Sequence, residues 1–174
     1  MKVVCCFALA MLAFPIGSPA RAGAVPAQLH NKTVSVVWGL STTWRRISDG
    51  VTGSSTSIID RSIYVSSNGR TFVRQNARTG NNTNKIEIGP EAQSGRFAFE
   101  GNTLSNIVDR GGLLWRIAIN FDPAFSSCSA TVHIGREGKV AKTTGIDGAP
   151  YENLSAMAGS TSCSVKVGNT FAGQ

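Results

Sequence analysis

Arginine is the residue type in this chain whose number and placement best suit binding chemistry. Residues 23–80 contain seven basic and two acidic side chains, whereas residues 81–174 contain eight of each. A planar guanidinium can donate two parallel hydrogen bonds to one carboxylate or phosphate group. The candidate binding residues are the arginines of this first part and two neighbouring aromatic residues: Trp44, Arg45, Arg46, Arg61, Arg70, Phe72, Arg74 and Arg78.

The spacing of Arg70, Phe72 and Arg74 predicts that they share one face of a strand, because side chains alternate along a strand. Replacing Arg70 and Arg74 by Gln should then weaken binding of an anionic ligand, and added salt should do the same. The partner would be an anionic lipid, an acidic polysaccharide or an acidic protein. The alternative is that the arginines only keep an exposed strand soluble.

Trp44 precedes Arg45 and Arg46 directly, and two interpretations of it stay open. Its ring could stack on a sugar or a lipid, or it could cover one end of the fold with an arginine on its face. Trp38 ends an apolar segment, and we expect it in the core.

The sequence contains none of the common catalytic motifs, such as G-x-S-x-G, H-E-x-x-H or a phosphate-binding loop. Its two histidines, His30 and His133, cannot form a three-histidine metal site. We therefore expect no enzymatic activity, no metal and no cofactor. Nucleic acid is not expected as a partner, since there is no recognition helix and no RNP-like aromatic motif. A glycosidase would need two close carboxylates, and the candidates are Asp60, Glu100, Asp109, Asp122, Glu137 and Asp147.

Residues 1–22 have the three parts of a secretory signal peptide. Lys2 gives a basic start, Val3–Phe14 is an uncharged apolar run, and Ala20-Arg21-Ala22 is a cleavage motif. The run is too short to span a bilayer comfortably. We expect cleavage after Ala22, a periplasmic or extracellular location, and no transmembrane segment in the mature chain. Loss of Lys2 and Arg21 would lower the net charge from +7 to +5.

Cleavage would also remove Cys5 and Cys6, so that Cys128 and Cys163 would be the mature cysteines. Two cysteines in an exported protein predict one disulfide bond.

Period-two alternation of apolar residues predicts strands in most of the chain. The alternation is clearest in Leu113–Phe121. In two other segments the same alternation places Cys128 and Cys163 on the apolar faces of their strands. The predicted strands are Thr33–Trp38, Ser62–Ser66, Thr71–Gln75, Lys85–Ile88, Arg96–Glu100, Leu113–Phe121, Cys128–Ile134 and Cys163–Val167.

Turn signals separate these strands. Asn68-Gly69 predicts a tight hairpin with positive φ at both residues. Residues 49–57 and 76–84 are expected to be polar loops. Short helical turns are expected at Asp122-Pro123 and after Pro150.

Seven or eight short strands predict an all-β fold, an antiparallel β-barrel or a β-sandwich. Chain length slightly favours the barrel by analogy with exported eight-stranded barrels. We expect a flexible lead-in at residues 23–30 and a single β domain at residues 31–174.

Four segments carry a resemblance over most of the mature chain: NKTVSVVW from Asn31, IYVSSNGR from Ile63, FDPAFSSC from Phe121 and CSVKVGNTF from Cys163. In these segments the chain resembles a group of small exported proteins of unknown function from soil and plant-associated bacteria. The resemblance implies an envelope or extracellular location and supplies no activity, ligand or catalytic residue.

The leading hypothesis from the sequence is a non-enzymatic exported binding module that uses its arginine-rich surface for an anionic ligand. One alternative is a small β-barrel carrier with an apolar cavity. A further alternative is a hydrolase of envelope polymers, which requires a pair of close carboxylates in a cleft.

Overall fold

Most of the described chain forms β-strands, in which successive side chains point to opposite faces of a sheet. The structure is a computed structural model that describes residues 24–90, 96–110, 113–136, 141–145 and 147–171. The expected signal peptide, residues 1–22, lies outside the described residues. Within them, no helix is long and apolar enough to cross a membrane.

The described part of the chain contains ten strands. They are β1 (Lys32–Arg46), β2 (Thr52–Val65), β3 (Thr71–Thr79), β4 (Asn82–Pro90), β5 (Arg96–Glu100), β6 (Thr103–Arg110), β7 (Leu113–Phe121), β8 (Cys128–Arg136), β9 (Ala141–Thr144) and β10 (Pro150–Val167).

The strands form two antiparallel sheets. The large sheet has six strands in the order β4-β3-β2-β1-β10-β9, and the small sheet has four in the order β5-β6-β7-β8. Among the described residues neither sheet closes on itself. The predicted all-β fold is confirmed, and of the two architectures considered the structure is consistent with the sandwich rather than with the slightly favoured barrel.

The core lies between the inner faces of the two sheets. Trp38 of β1 is 1% exposed, and its ring contacts that of Trp115 in β7 edge to face, with 5.5 Å between centroids. Such aromatic pairs stabilise a fold by about 0.5–1.5 kcal/mol beyond the burial of their area. The expected core position of Trp38 is confirmed.

A disulfide joins the sheets. Cys128 at the start of β8 bonds to Cys163 of β10, with 5.5 Å between the Cα atoms, as predicted. Next to it, the Thr161 hydroxyl donates a 2.6 Å hydrogen bond to the carbonyl of Ala130. The two contacts fasten β8 of the small sheet to β10 of the large one.

Three strands are much longer than predicted, and two expected loops are wrong. Residues 52–57 belong to β2, and residues 76–84 contain the ends of β3 and β4 around a turn at Gly80 and Asn81. The segment after Pro150 is strand rather than a helical turn. Serine and threonine pairs support these extensions, for example Thr42 with Ser55 at 2.8 Å. Such cross-strand hydroxyl pairs stabilise a sheet but leave no apolar periodicity in the sequence.

The hairpin between β2 and β3 differs from the predicted type. Gly69 has φ of 78°, whereas Asn68 does not have a positive φ. The amide of Gly69 donates to the carbonyl of Ser66, and the amide of Ser66 donates to that of Arg70, both at 2.9 Å. This is the arrangement of a longer loop with a glycine bulge.

The segment of residues 23–30, which we expected to be a flexible lead-in, packs on the core through Leu29. This side chain is 0% exposed.

Candidate functional site

The fold separates the arginines that the sequence groups together. One end of the large sheet contains the β1–β2 turn and the β9–β10 turn, and we call it the distal end. Arg45 and Arg46 lie there, as the last residues of β1. Arg70 lies in the β2–β3 turn, beside the other end of β1, and Arg78 is exposed on β3. Of the predicted arginines, Arg45 and Arg46 are the two that line a common open groove.

Arg61 cannot contact a ligand at the surface, because it is buried and 1% exposed. Its Nε donates to Oδ1 of Asn106 at 2.9 Å, and a terminal nitrogen donates to Oε1 of Gln75 at 3.0 Å. The period-two series Ile59, Arg61, Ile63 places the arginine on the apolar face of β2. That alternation is the signal in the sequence that could have identified its position.

The predicted surface of Arg70, Phe72 and Arg74 does not form. Phe72 and Arg74 share the outer face of β3, but Arg70 precedes the strand. Arg74 is 8% exposed, and its guanidinium carbon lies 4.8 Å above the ring centre of Phe171. Phe171 also contacts Tyr64. Phe171 therefore covers this part of the outer face.

An open groove lies at the distal end. It has a volume of about 460 Å³, and its lining residues are Arg45, Arg46, Ile47, Gly50, Lys142 and Glu152. Strand register aligns part of this lining, since Arg45 pairs with Glu152 and Glu152 pairs with Lys142. A cation, a carboxylate and a second cation thus follow one another across β1, β10 and β9. Lys142 and Glu152 were not predicted, because their proximity to Arg45 depends on that long-range register.

Both arginines of the groove already have carboxylate partners. Arg45 forms an ion pair with Glu152, and the two side chains are 49% and 13% exposed. Arg46 forms an ion pair with Asp49 at 2.9 Å, with exposures of 34% and 43%. Exposed ion pairs contribute only about 0–1 kcal/mol to stability, and one guanidinium has five N–H donors. A bound anion can therefore share or replace these contacts.

Two aromatic rings lie on the same face of the large sheet as Arg46. The row of Arg45, Glu152 and Lys142 lies on the opposite face. Trp44 contacts Tyr151 edge to face, with 5.1 Å between ring centroids. Trp44 covers Gly53 and Tyr151 covers Gly145, because a Cβ atom at either glycine would overlap the ring. Both rings thus rest on backbone that has no side chain. Trp44 is half-buried, and both interpretations of it, as a stacking surface for a ligand or as a cover for one end of the fold, stay predictions.

Hydrogen bonds fix the orientation of Tyr151. Its hydroxyl donates to Oδ2 of Asp147 at 2.6 Å and accepts from Nε of Arg46 at 3.2 Å. The guanidinium carbon of Arg46 lies 5.7 Å from the centre of the Tyr151 ring. One network therefore connects Asp49, Arg46, Tyr151 and Asp147.

The charges of this network are stable near neutral pH. The hydrogen bond from Tyr151 and the amide of Ala149 lower the pKa of Asp147. The amide of Val51, followed by the guanidinium of Arg46, lowers the pKa of Asp49. The hydrogen bonds to Tyr151 and Asp49 raise the pKa of Arg46. The site consequently presents fixed, alternating charges.

Comparison with known proteins adds no relative. No protein-family model matches the chain, and no curated protein matches it significantly. The resemblance to small exported proteins stays a prediction, and the functional argument rests on the geometry of the distal end.

Proposed function

We propose that this protein is an exported, non-enzymatic binding protein that holds an anionic ligand in the distal groove. The observation that carries the proposal is the convergence of Arg45, Arg46 and Lys142 on one open groove. The signal-peptide pattern of residues 1–22 and the Cys128–Cys163 disulfide support export, since disulfides persist in oxidising compartments.

The groove offers donors in the arrangement that carboxylates and phosphates need. Arg45 is half exposed, and its pairing with Glu152 uses only part of its donor set. Lys142 lies across Glu152 from Arg45 and adds a point charge. An anion that enters between them gains charge-assisted hydrogen bonds, which are roughly twice as strong as neutral ones.

The acidic residues at the distal end support binding rather than catalysis. A general acid of a glycosidase needs a raised pKa so that it carries a proton near neutral pH. Asp49 and Asp147 have lowered pKa values, and Glu152 is paired with Arg45. These three carboxylates are suited to accept hydrogen bonds from a ligand.

The charged lining of this groove does not suit the alternative function, a carrier of an apolar small molecule. An apolar ligand would take water away from two guanidinium groups, an ammonium group and a carboxylate, and desolvation of charges is costly. Ile47 is the one large apolar side chain among the described lining residues.

The proposal is tested with three polyanions: polygalacturonate, polyglutamate and phosphatidylglycerol vesicles. The double variant Arg45→Gln/Arg46→Gln should weaken binding of at least one of them by tenfold or more, because each lost charge-assisted hydrogen bond is worth about 1.5–3 kcal/mol. The matched control is Arg70→Gln/Arg78→Gln, which removes the same charge elsewhere and should change affinity by less than about threefold.

Three results would contradict the proposal. They are equal losses in both double variants, no loss in the groove variant, or no binding of any probe at low salt. Equal losses would indicate that net charge rather than the groove attracts the anion. Binding should also weaken as salt rises from about 0.05 to 0.5 M, since ions screen exposed charges.

A further inference from the structure

The charges at the distal end are balanced rather than purely basic. Arg45, Arg46 and Lys142 lie close to the carboxylates of Asp49, Asp147 and Glu152. A densely charged polyphosphate or an anionic bilayer is best attracted by a surface with a large positive excess. The balanced site instead suits a ligand with well-separated negative charges and many hydroxyl donors, which can pair with the carboxylates.

The Trp44 ring adds a flat apolar surface on the face of the sheet that also carries Tyr151 and Arg46. It continues the row of side chains that starts with Trp38 on the same face of β1, and opposite it in register is Gly53. Gly53 leaves room for the ring to lie over the strand, and the edge contact with Tyr151 fixes its angle. In the next row Thr42 and Ser55 present hydroxyl groups 2.8 Å apart.

A sugar ring matches this combination of groups. A pyranose carries C–H groups on its faces and hydroxyls around its rim, so one face can stack on an aromatic ring while the rim forms hydrogen bonds. Ligand sites commonly combine an aromatic wall with a few fixed polar groups, and indole rings pair an apolar surface with low conformational cost.

Building on the proposed function, we infer that the ligand is an acidic polysaccharide. One pyranose ring lies against Trp44, and the carboxylate of a uronate unit pairs with Arg46, which shares the face of Trp44 and also lines the groove. Neighbouring hydroxyls donate to Asp49 and Asp147, and the next uronate of the polymer reaches Arg45 around the end of the sheet. A polyuronate carries one charge per ring with neutral hydroxyls between the charges, which suits a surface of alternating cations and carboxylates better than a continuous anionic surface does.

The test compares Trp44→Leu with the wild-type protein on polygalacturonate, fully methyl-esterified polygalacturonate, polyglutamate and phosphatidylglycerol vesicles. We expect polygalacturonate to bind most tightly, by tenfold or more. Trp44→Leu should lower that affinity about fivefold to tenfold, in line with the loss of a stacking contact. Trp44→Phe should retain most of the affinity, and polyglutamate binding should not depend on Trp44.

Tryptophan fluorescence gives a second readout that does not rely on affinity. Trp38 and Trp115 are 1% and 6% exposed in the core, so Trp44 is the tryptophan in contact with solvent. Polygalacturonate should shift or quench emission in the wild-type protein and leave the emission of Trp44→Leu unchanged. Matching melting temperatures of the variants would show that the fold is intact.

The outcomes separate the two proposals. If polyglutamate or vesicles bind as tightly as polygalacturonate, and binding depends on Arg45 and Arg46 but not on Trp44, the saccharide inference fails and the anion site stands. If binding of polygalacturonate depends on neither the arginines nor Trp44, both fail. Equal binding of the esterified polymer would also overturn the inference, because that polymer keeps its rings and lacks the charge.

Discussion

Arg61 connects the two sheets through side-chain hydrogen bonds. It projects from β2 into the space between the sheets and donates to Asn106 of β6 and Gln75 of β3. All three side chains are buried. Removing the arginine would leave two buried amide oxygens without these donors, and buried unsatisfied polar groups are costly.

We expect Arg61→Ala to destabilise the protein by about 3 kcal/mol, because two hydrogen bonds to a charged group are lost. Chemical denaturation measures the free energy of unfolding. Arg70→Ala is the control, since Arg70 is an exposed residue in a turn, and it should change stability by less than about 0.5 kcal/mol. Equal stability of Arg61→Ala and the wild type would refute a structural role for Arg61.

Asp122 holds the loop that leads to the disulfide. Its carboxylate accepts hydrogen bonds from the hydroxyl and amide of Ser126, both at 2.6 Å, and from the amide of Ser127 at 3.0 Å. The Ser126 hydroxyl and the Ser127 amide lower its pKa. The expected helical turn at Asp122-Pro123 is wrong, although the local hydrogen-bonding role of Asp122 is present in a non-helical turn.

A lowered pKa in the folded state means that Asp122 stabilises the fold above its unfolded pKa of about 3.9 and loses this effect as pH falls through the folded value. Asp122→Asn should therefore melt below the wild type at pH 7. The difference should shrink as pH falls from about 5 to 2 and vanish once both forms are uncharged. A difference in melting temperature that is independent of pH would contradict this assignment.

At the scale of elements, apolar alternation identified most of the strands that face the core on one side. It missed β6, because the buried Asn106 interrupts the apolar row between Leu104 and Val108. The bounds predicted for β5 and β7 match the structure. Residues 41–46 of β1, 52–58 of β2 and 150–158 of β10 contain no buried side chain, and their strand content comes from hydroxyl pairs and register. A pattern that counts apolar residues cannot detect such segments, so the elements that carry the candidate site were predicted least well.

Glycines in the strands provide a direct test of how the site is built. Gly53→Ala would place a Cβ atom against the Trp44 ring and should displace it. We expect a changed near-ultraviolet circular dichroism signal and roughly fivefold weaker binding of polygalacturonate, with little loss of stability. The matched control is Gly39→Ala on β1, where nothing lies within 4 Å of a new Cβ. Identical behaviour of the two variants would show that the seating of Trp44 on Gly53 has no role in binding.

At the scale of the whole molecule, the excess positive charge of residues 23–80 does not form one basic surface. The fold buries Arg61, covers Arg74 with Phe171 and places Arg70 away from the distal end. It then brings Lys142 and Glu152 to Arg45 from a part of the chain whose charges balance. Composition could predict that the protein binds anions, whereas the groove depends on pairing between Arg45 and Glu152, which are 107 positions apart.

The disulfide cross-links the two sheets. It closes a loop of 35 residues, for which the loop-entropy model gives a contribution of about 4 kcal/mol. Reduction, or the double variant Cys128→Ser/Cys163→Ser, should lower the melting temperature by roughly 10 °C. An unchanged melting temperature after complete reduction would mean that packing alone holds β8 against β10.

The most direct test of the distal groove is to map a bound ligand residue by residue. Backbone amide NMR shifts would be followed while galacturonate oligomers are added to the protein. We expect the shifts to concentrate at residues 44–52, 141–145 and 150–153, with Arg70 and Arg74 unaffected. Shifts centred on Arg70–Arg74, or spread evenly over all exposed arginines, would contradict the assignment of the groove as the binding site.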